Sequence, residues 1–523
     1  MAYVDVHLGN RSTTPWWVRD EMTQSIKMLY EKYFLKHREA WGLCLLFAVY
    51  LALRLYRLGD HDLWYDEVGS VFFTRYPSIT KNAPAYWFLM HFWTKIFGFS
   101  EFSLRFPSFI FSFLAVIFTY LLGSRLFDRK AGLVASLLIG LSPFHLWYAQ
   151  EARDYSMVLF FGTASSYFFY RAIREGRLVP WLLFLLTSIG GLYTNYVYFF
   201  LFAAQGLFWA GVKRSQIKWG EVLCFVAVVA CFMPYLPKFF HKFQAVADGF
   251  WVARPTGRSL ALTLENFVLG YHGTGPLYAA ALILSGIFSV SALWGARVQA
   301  ARAGLAFCCF LFLVPVAAVY FFSRSFFSIY LDRALILFSP YFYLLMAVGI
   351  VSLGRTFRTV SMAVLIALLC AAYARFLNDQ MTEPISHHQG AYTKKPVKPI
   401  ARFLKDRVDP DNDLLGFTNE NVMLGVRFYG GPSAIHYFFV PTVLDTTWKR
   451  AVTEGSQKTS FGKLARLKFK RMWVVASDWS RSGGLDENSR TFLDWLDRDP
   501  RFELDFSREM DGVLILRYTR EGN

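Results

Sequence analysis

Apolar stretches of about 20 residues, the length that crosses a bilayer as a helix, recur along the chain between residues 41 and 377 and are separated by short polar connections. They predict eleven membrane-spanning helices, near 41–58, 103–123, 131–148, 154–172, 178–194, 196–212, 219–236, 276–295, 303–322, 333–353 and 359–377. Between the first two spans, the aromatic stretch 85–93 reads as an amphipathic helix lying along the membrane. Beyond residue 378 the pattern becomes that of a soluble domain. Ile400, Phe403, Leu404 and Val408 recur at helical spacing, as does 491–496, and β-type runs lie at 414–417, 435–440, 472–475 and 512–516. The reading is an α-helical polytopic membrane protein in three parts: an amino-terminal segment 1–40, a membrane domain 41–377 and a small α/β domain 378–523.

Charge orients this arrangement. Arg125, Arg129 and Lys130 form one connection, Arg171, Arg174 and Arg177 another, and Lys213, Arg214 and Lys218, Arg297 and Arg302, and Arg355 and Arg358 the later ones. Basic connections stay cytoplasmic, so an odd number of spans starting from a cytoplasmic amino terminus puts 378–523 on the outer face. Trp16, Trp17, Ile26, Leu29, Tyr30 and Tyr33 give 1–40 the look of an interfacial helix, and nothing there resembles a cleavable signal.

Composition agrees: 55% of residues are hydrophobic and 19% aromatic, and mean hydropathy is +0.31. The formal net charge of +17 is spread over connections and tail and makes no single basic face, which argues against a nucleic-acid partner. All six cysteines lie in apolar segments, so neither a disulfide framework nor a cysteine metal site is implied.

Candidate chemistry gathers on the predicted outer face. Asp66 and Glu67 are adjacent in the first outer loop, followed by Lys81 and Tyr86; Glu151, Arg153, Asp154 and Tyr155 lie in a turn between two spans; Asn195 lies in a third turn; Arg254, Arg258 and His272 fall in one later loop and Arg324, Tyr330, Asp332 and Arg333 in another. Carboxylates opposite cations suit a hydroxyl attack in which a carboxylate takes the proton and Arg, Lys and Tyr hold a phosphate leaving group. Plainer readings stand beside this one: Asp66-Glu67 as a solvated pair, Glu151 and Arg153 as ion pairing between spans, His91 as interfacial packing, and His387-His388 as solvated residues. Asp66, Glu67 and Glu151 are also the candidate set for Mg²⁺ or Mn²⁺.

Leu63-Trp64-Tyr65-Asp66-Glu67, Asn82-Ala83-Pro84-Ala85-Tyr86-Trp87, Leu104-Arg105-Phe106-Pro107-Ser108, Leu141-Ser142-Pro143, Tyr148-Ala149-Gln150-Glu151-Ala152-Arg153-Asp154-Tyr155, Tyr193-Thr194-Asn195-Tyr196 and Tyr330-Leu331-Asp332-Arg333 follow in that order. As a set they resemble the bacterial members of the protein mannosyltransferase superfamily, integral membrane glycosyltransferases with the C-type (GT-C) fold. The resemblance implies transfer of one sugar from a polyprenyl-phosphate donor to a glycan, glycolipid or protein acceptor on the outer face of the bacterial inner membrane, with inversion. It implies Asp66 as base or acceptor-positioning group with Glu67 assisting, and Lys81, Tyr86, Arg153, Tyr330 and Arg333, with Arg254 and Arg258, as phosphate ligands; Glu151, Asp154, Tyr155 and Asn195 are supporting or acceptor residues. One departure is that a single Pro84 stands between Ala83 and Ala85 where many relatives carry two prolines and a leucine.

Two other classes of function compete. A flippase for lipid-linked glycans would suit the apolar spans, yet the charges crowd one face and no paired broken helices recur in two halves. A membrane scaffold with a partner-binding tail leaves the outer-face charges unexplained. The absence of a Gly-rich phosphate loop ending in Lys-Ser or Lys-Thr fits a donor that needs no nucleotide here.

Overall fold

A computed structural model describes residues 38–75, 84–213, 217–247, 252–271, 276–295, 299–377, 396–418, 420–432, 436–440, 456–460, 464, 467–477, 485 and 487–520. The candidate Lys81, along with His272, His387-His388 and the expected interfacial helix within 1–40, lies outside the described residues. The chain forms two compact units, Met1–Leu53 and Arg54–Asn523. The first contributes most of helix α1 (Arg38–Leu55).

In the second unit, α2 (Tyr65–Arg75) and α3 (Ala85–Phe97) precede the long helix α4 (Glu101–Leu126). Next come α5 (Arg129–Leu141), α6 (Pro143–Ala149), α7 (Tyr155–Glu175), α8 (Leu178–Leu192), α9 (Tyr198–Lys213), α10 (Trp219–Phe232) and α11 (Leu236–Ala247). Then α12 (Gly257–Leu269), α13 (Pro276–Gly295), α14 (Gln299–Ser325), α15 (Ser339–Ser352) and α16 (Arg355–Leu377) complete the membrane part. Among the described residues five helices are long and apolar enough to cross a membrane, or six if the bent pair α5–α6 is one span. Each of the eleven segments expected from hydropathy coincides with a helix, several of them shorter than that criterion asks. The protein is a multi-pass membrane protein.

Local chemistry explains the breaks. Ser142 precedes Pro143, which disfavours helical backbone at Ser142, and the chain turns by 64° between α5 and α6. The bend leaves the last carbonyls of α5 without intrahelical donors. Arg54, fully buried, supplies them: Nη1 donates to Gly140 O at 2.6 Å and Nη2 to Ile139 O at 3.3 Å. Ser142 Oγ caps α6 by accepting from His145 N at 3.4 Å and donates to Phe267 O at 2.7 Å. Gln150 Nε2 then donates to the carbonyls of Arg54 and Tyr56 at 3.0 and 2.8 Å, which fixes the turn that carries Glu151 to Asp154. Deeper in the bundle α15 is enclosed on nearly all sides, and Gly349 lets it approach α13 so closely that a Cβ there would lie 1.7 Å from Phe288 O.

Four helices went unexpected: α2 around Asp66 and Glu67, α11 and α12 in the connection before α13, and α18 between β1 and β2; all are short, and none has by itself the long apolar run that marks a span. α12 starts from a reciprocal capping arrangement of Thr256 and Ser259.

The carboxy-terminal part is a six-stranded mixed sheet in the order β3-β2-β1-β4-β6-β5. Its strands are β1 (Asp413–Phe417), β2 (His436–Val440), β3 (Ser456–Ser460), β4 (Arg471–Ser477), β5 (Phe502–Met510) and β6 (Val513–Arg520), with helices α17 (Lys398–Lys405), α18 (Glu420–Phe428) and α19 (Glu487–Asp497). β1 and β4 pair in parallel and are buried along nearly their whole length, as continuous apolar runs in central strands are. β5 and β6 are joined at Asp511-Gly512, with φ of 50° and 74°, the left-handed pair that tight hairpin turns require. The polar edge strands β3 and β5 were not expected from the sequence. Ile400, Leu404, Met423, Val426 and Trp473 share one buried apolar cluster with Leu63, Val71 and Trp87 of the segment between α1 and α4.

Candidate catalytic site

Asp66 and Glu67 occupy the first turn of α2, where acidic side chains favour the helix dipole. Successive helical residues point about 100° apart, and the two carboxylates have different surroundings. Glu67 is fully buried. Its Oε1 accepts from Arg105 Nε at 2.8 Å and from Ala152 N at 2.9 Å, and its Oε2 accepts from Arg105 Nη2 at 2.9 Å and Trp64 N at 3.3 Å. Arg105 also donates to the carbonyls of Leu58, His61 and Asp62, at 3.1, 2.9 and 3.2 Å. These five bonds match the five N–H groups of a guanidinium. The buried pair therefore ties the loop before α2 to α4 and to the turn at Ala152.

Asp66 is partly exposed and is the neighbour common to two cations. Arg153 lies over the rings of Trp87 and Tyr155, with centroids at 5.9 and 5.7 Å. Burial works against its charge, but Asp66 first, then Tyr155, Asp154 and Glu151, hold the guanidinium above its ordinary range. Arg153 Nε is enclosed and makes no hydrogen bond to the described residues. Arg333 is buried too, and although burial again opposes its charge, Tyr155, Tyr148, Asp66 and Tyr271 raise it. Asp66, Arg153, Tyr155 and Arg333 thus come together from three separate stretches of chain.

The supporting residues lock these stretches in place. Glu151 Oε1 accepts from Trp64 Nε1 at 3.1 Å, and Asp154 Oδ2 accepts from Asn195 Nδ2 at 2.9 Å. Ala85 N donates to Tyr193 O at 2.8 Å, tying the start of α3 to the Asn195 turn. Tyr86 is buried with Asp154, Arg153 and Glu67 in electrostatic reach, and burial pushes its phenol well above the ordinary range.

Tyr330 and Asp332 are held by α12. Tyr330 Oη pairs with Thr263 Oγ1 at 2.9 Å, while Asp332 Oδ2 accepts from Asn266 Nδ2 at 2.8 Å and its Oδ1 from Arg333 N at 2.7 Å. Burial pushes the Asp332 carboxyl up to about 6. Arg254 is exposed and donates to Phe326 O at 3.4 Å, and Arg258 is exposed on α12 within reach of Glu265; the contacts described for these two do not join them to Asp66. Among the described residues no three His, Cys, Asp or Glu side chains converge as metal ligands. Asp66, Glu67 and Glu151 form no such group, since Glu67 faces Arg105 and Glu151 faces Trp64.

Comparison with known proteins bears on what this cluster does. The family model of the dolichyl-phosphate-mannose-protein mannosyltransferases matches residues 81–240. ArnT from Cupriavidus metallidurans has a similar structure in its apo state, with a TM-score of 0.61 at 14% identity, over 91% of this chain and 98% of that one. The same enzyme bound to undecaprenyl phosphate gives 0.60 at 13% identity, again over 91% and 98%. AglB, the oligosaccharyltransferase of Archaeoglobus fulgidus, in complex with an inhibitory peptide and a dolichol-phosphate, gives 0.50 at 11% identity over 92% and 74%. At such identities the solved structures speak for the fold. The chain has the GT-C fold. No curated protein matches it by sequence.

The sequence had pointed to Asp66, Arg153, Tyr155 and Arg333, but not to Arg105 as their organiser. Its signal was present: an arginine near the start of an apolar helix needs a partner at membrane depth. Nor did the sequence single out Asn266, because nothing in 257–269 announces that α12 receives Tyr330 and Asp332.

Proposed function

We propose that the protein transfers a single sugar from a polyprenyl-phosphate donor to an acceptor hydroxyl on the outer face of a bacterial inner membrane. The carrying observation is Asp66 as the shared neighbour of Arg153 and Arg333. In this reading the acceptor oxygen attacks the anomeric carbon while its proton passes to Asp66. The bond from that carbon to the phosphate oxygen breaks, and the phosphate leaves with the electron pair, its charge held by the two guanidiniums and the Tyr155 hydroxyl. Attack opposite the leaving group inverts the anomeric centre. Glu67 assists through Arg105 by fixing the turn that presents Asp66. Lys81, Tyr86 and Tyr330, with Arg254 and Arg258 farther out, belong to the donor's surroundings in this scheme, and residues 378–523 form an outer-face domain.

The lipid donor is supported by the likeness in fold to ArnT, solved with undecaprenyl phosphate, and to AglB, solved with a dolichol-phosphate. The test is transfer itself. Purified protein in proteoliposomes, given radiolabelled polyprenyl-phosphate sugars and candidate glycan, glycolipid or protein acceptors, is expected to move label to an acceptor. Donor that crosses the bilayer with no label on any acceptor would overturn the proposal in favour of a flippase.

A further inference from the structure

The first outer loop is gripped from two sides, and only one of them belongs to the membrane part. Arg105 holds the carbonyl side of 58–62. The other side is held by the sheet domain. Asp62 Oδ2 accepts from Val397 N at 2.7 Å and from Lys398 N at 2.8 Å. These amides open α17, a helix whose own N-cap, Val397, makes no side-chain cap, so an acid 335 positions away does that work. Lys398 Nζ lies 3.4 Å from Asp62 Oδ1, 2.5 Å from Glu101 Oε1 and 5.2 Å from the Tyr429 ring centroid. The Tyr429 hydroxyl in turn accepts from Leu63 N at 2.7 Å. Asp62 and Leu63 thus bond to the carboxy-terminal domain only a few residues before Asp66.

We infer that Asp62, Lys398 and Tyr429 are positioning residues through which the carboxy-terminal domain sets the placement of Asp66 in the reaction. This rests on Asp66 being the base. The latch touches neither Arg153 nor Arg333 through its described contacts, so it governs the approach of carboxylate to acceptor and leaves the phosphate contacts alone. A misplacement of about 1 Å can cost on the order of 10²-fold in rate.

The experiment uses the full chain in nanodiscs with Lys398→Met, Tyr429→Phe and the conservative Lys398→Arg. Two readouts are taken: hydrogen exchange of the peptide covering 58–68, and steady-state transfer from a polyprenyl-phosphate sugar normalised to folded protein. Lys398→Met and Tyr429→Phe are each expected to speed exchange at 58–68 and lower kcat by about tenfold or more with donor KM within about twofold, and Lys398→Arg is expected to recover kcat. Unchanged kcat per folded molecule in both variants, or a loss confined to donor KM, overturns the positioning role. If the wild-type protein transfers no sugar from any such donor, the reading of the activity fails; unchanged exchange would then show separately that the domain does not hold the loop.

Discussion

Arg105 Nε donates to Glu67 Oε1 at 2.8 Å and Arg105 Nη2 to Glu67 Oε2 at 2.9 Å, and both side chains are shielded from solvent. A fork-to-fork pair of this kind is costly to break from one end, because the remaining charge stays buried. Arg105→Ala is expected to destabilise the protein by about 3–5 kcal/mol, read as a lower melting temperature in detergent and poor recovery. Arg105→Lys keeps the charge but loses the planar fork and is expected to fall between the two. A melting temperature for Arg105→Ala equal to that of the wild type would remove the pair from the architecture.

Asp66 carries a different expectation. Asp66→Asn keeps the shape of the side chain and removes the basic oxygen, so the variant should bind donor while turnover falls by about 10²–10⁴-fold. Donor affinity by tryptophan fluorescence and transfer by thin-layer radiography separate the two effects. Wild-type turnover would take Asp66 out of the mechanism.

The two guanidiniums are expected to affect the donor. Arg153→Gln and Arg333→Gln each remove a charge-assisted contact of about 1.5–3 kcal/mol, so transfer efficiency should drop by about one to two orders of magnitude. Arg153→Lys should recover less than charge alone predicts, since stacking on Trp87 and Tyr155 needs a planar group. Equal kinetics for Arg153→Lys and wild type would argue against stacked binding.

Asp332 gives a pH-dependent stability. Burial raises its carboxyl from the ordinary 3.8 to about 6 in the folded protein. Between those values the folded state binds the proton that the unfolded state has released, so this group favours folding most below about pH 4, and its contribution is lost as pH rises through about 6. Asp332→Asn should therefore melt above wild type at pH 8, by an amount on the order of 2–3 kcal/mol, and the gap should close towards pH 4. A gap that stays constant over this range would mean that Asp332 does not titrate there.

The membrane organisation was legible because its signal is long and redundant: a span needs many apolar residues in succession. Asp66 stood out because a charge beside such a run requires a reason. The split between Asp66 and Glu67 was not legible, since it depends on α2 starting at Tyr65 and turning one carboxylate towards Arg105 and the other towards Arg153 and Arg333. Tyr330 and Asp332 were visible as polar residues, but their partners Thr263 and Asn266 lie on a helix too short to show in hydropathy. In the carboxy-terminal part β1 and β4 announced themselves by continuous apolar runs, whereas β3, reading Ser456-Gln457-Lys458-Thr459-Ser460, has a composition that a loop could share.

Arg54, which satisfies the carbonyl end of α5 at its bend, alters how the cations of this chain should be counted. A positive side chain enclosed among apolar helices invites the reading that it awaits an anionic substrate, yet this one is spent on a break in the backbone and Arg105 on a neighbouring loop. For inhibitor design the consequence is practical: anionic groups should be aimed at Arg153 and Arg333, because Arg54 is already taken up by backbone carbonyls and Arg105 by Glu67.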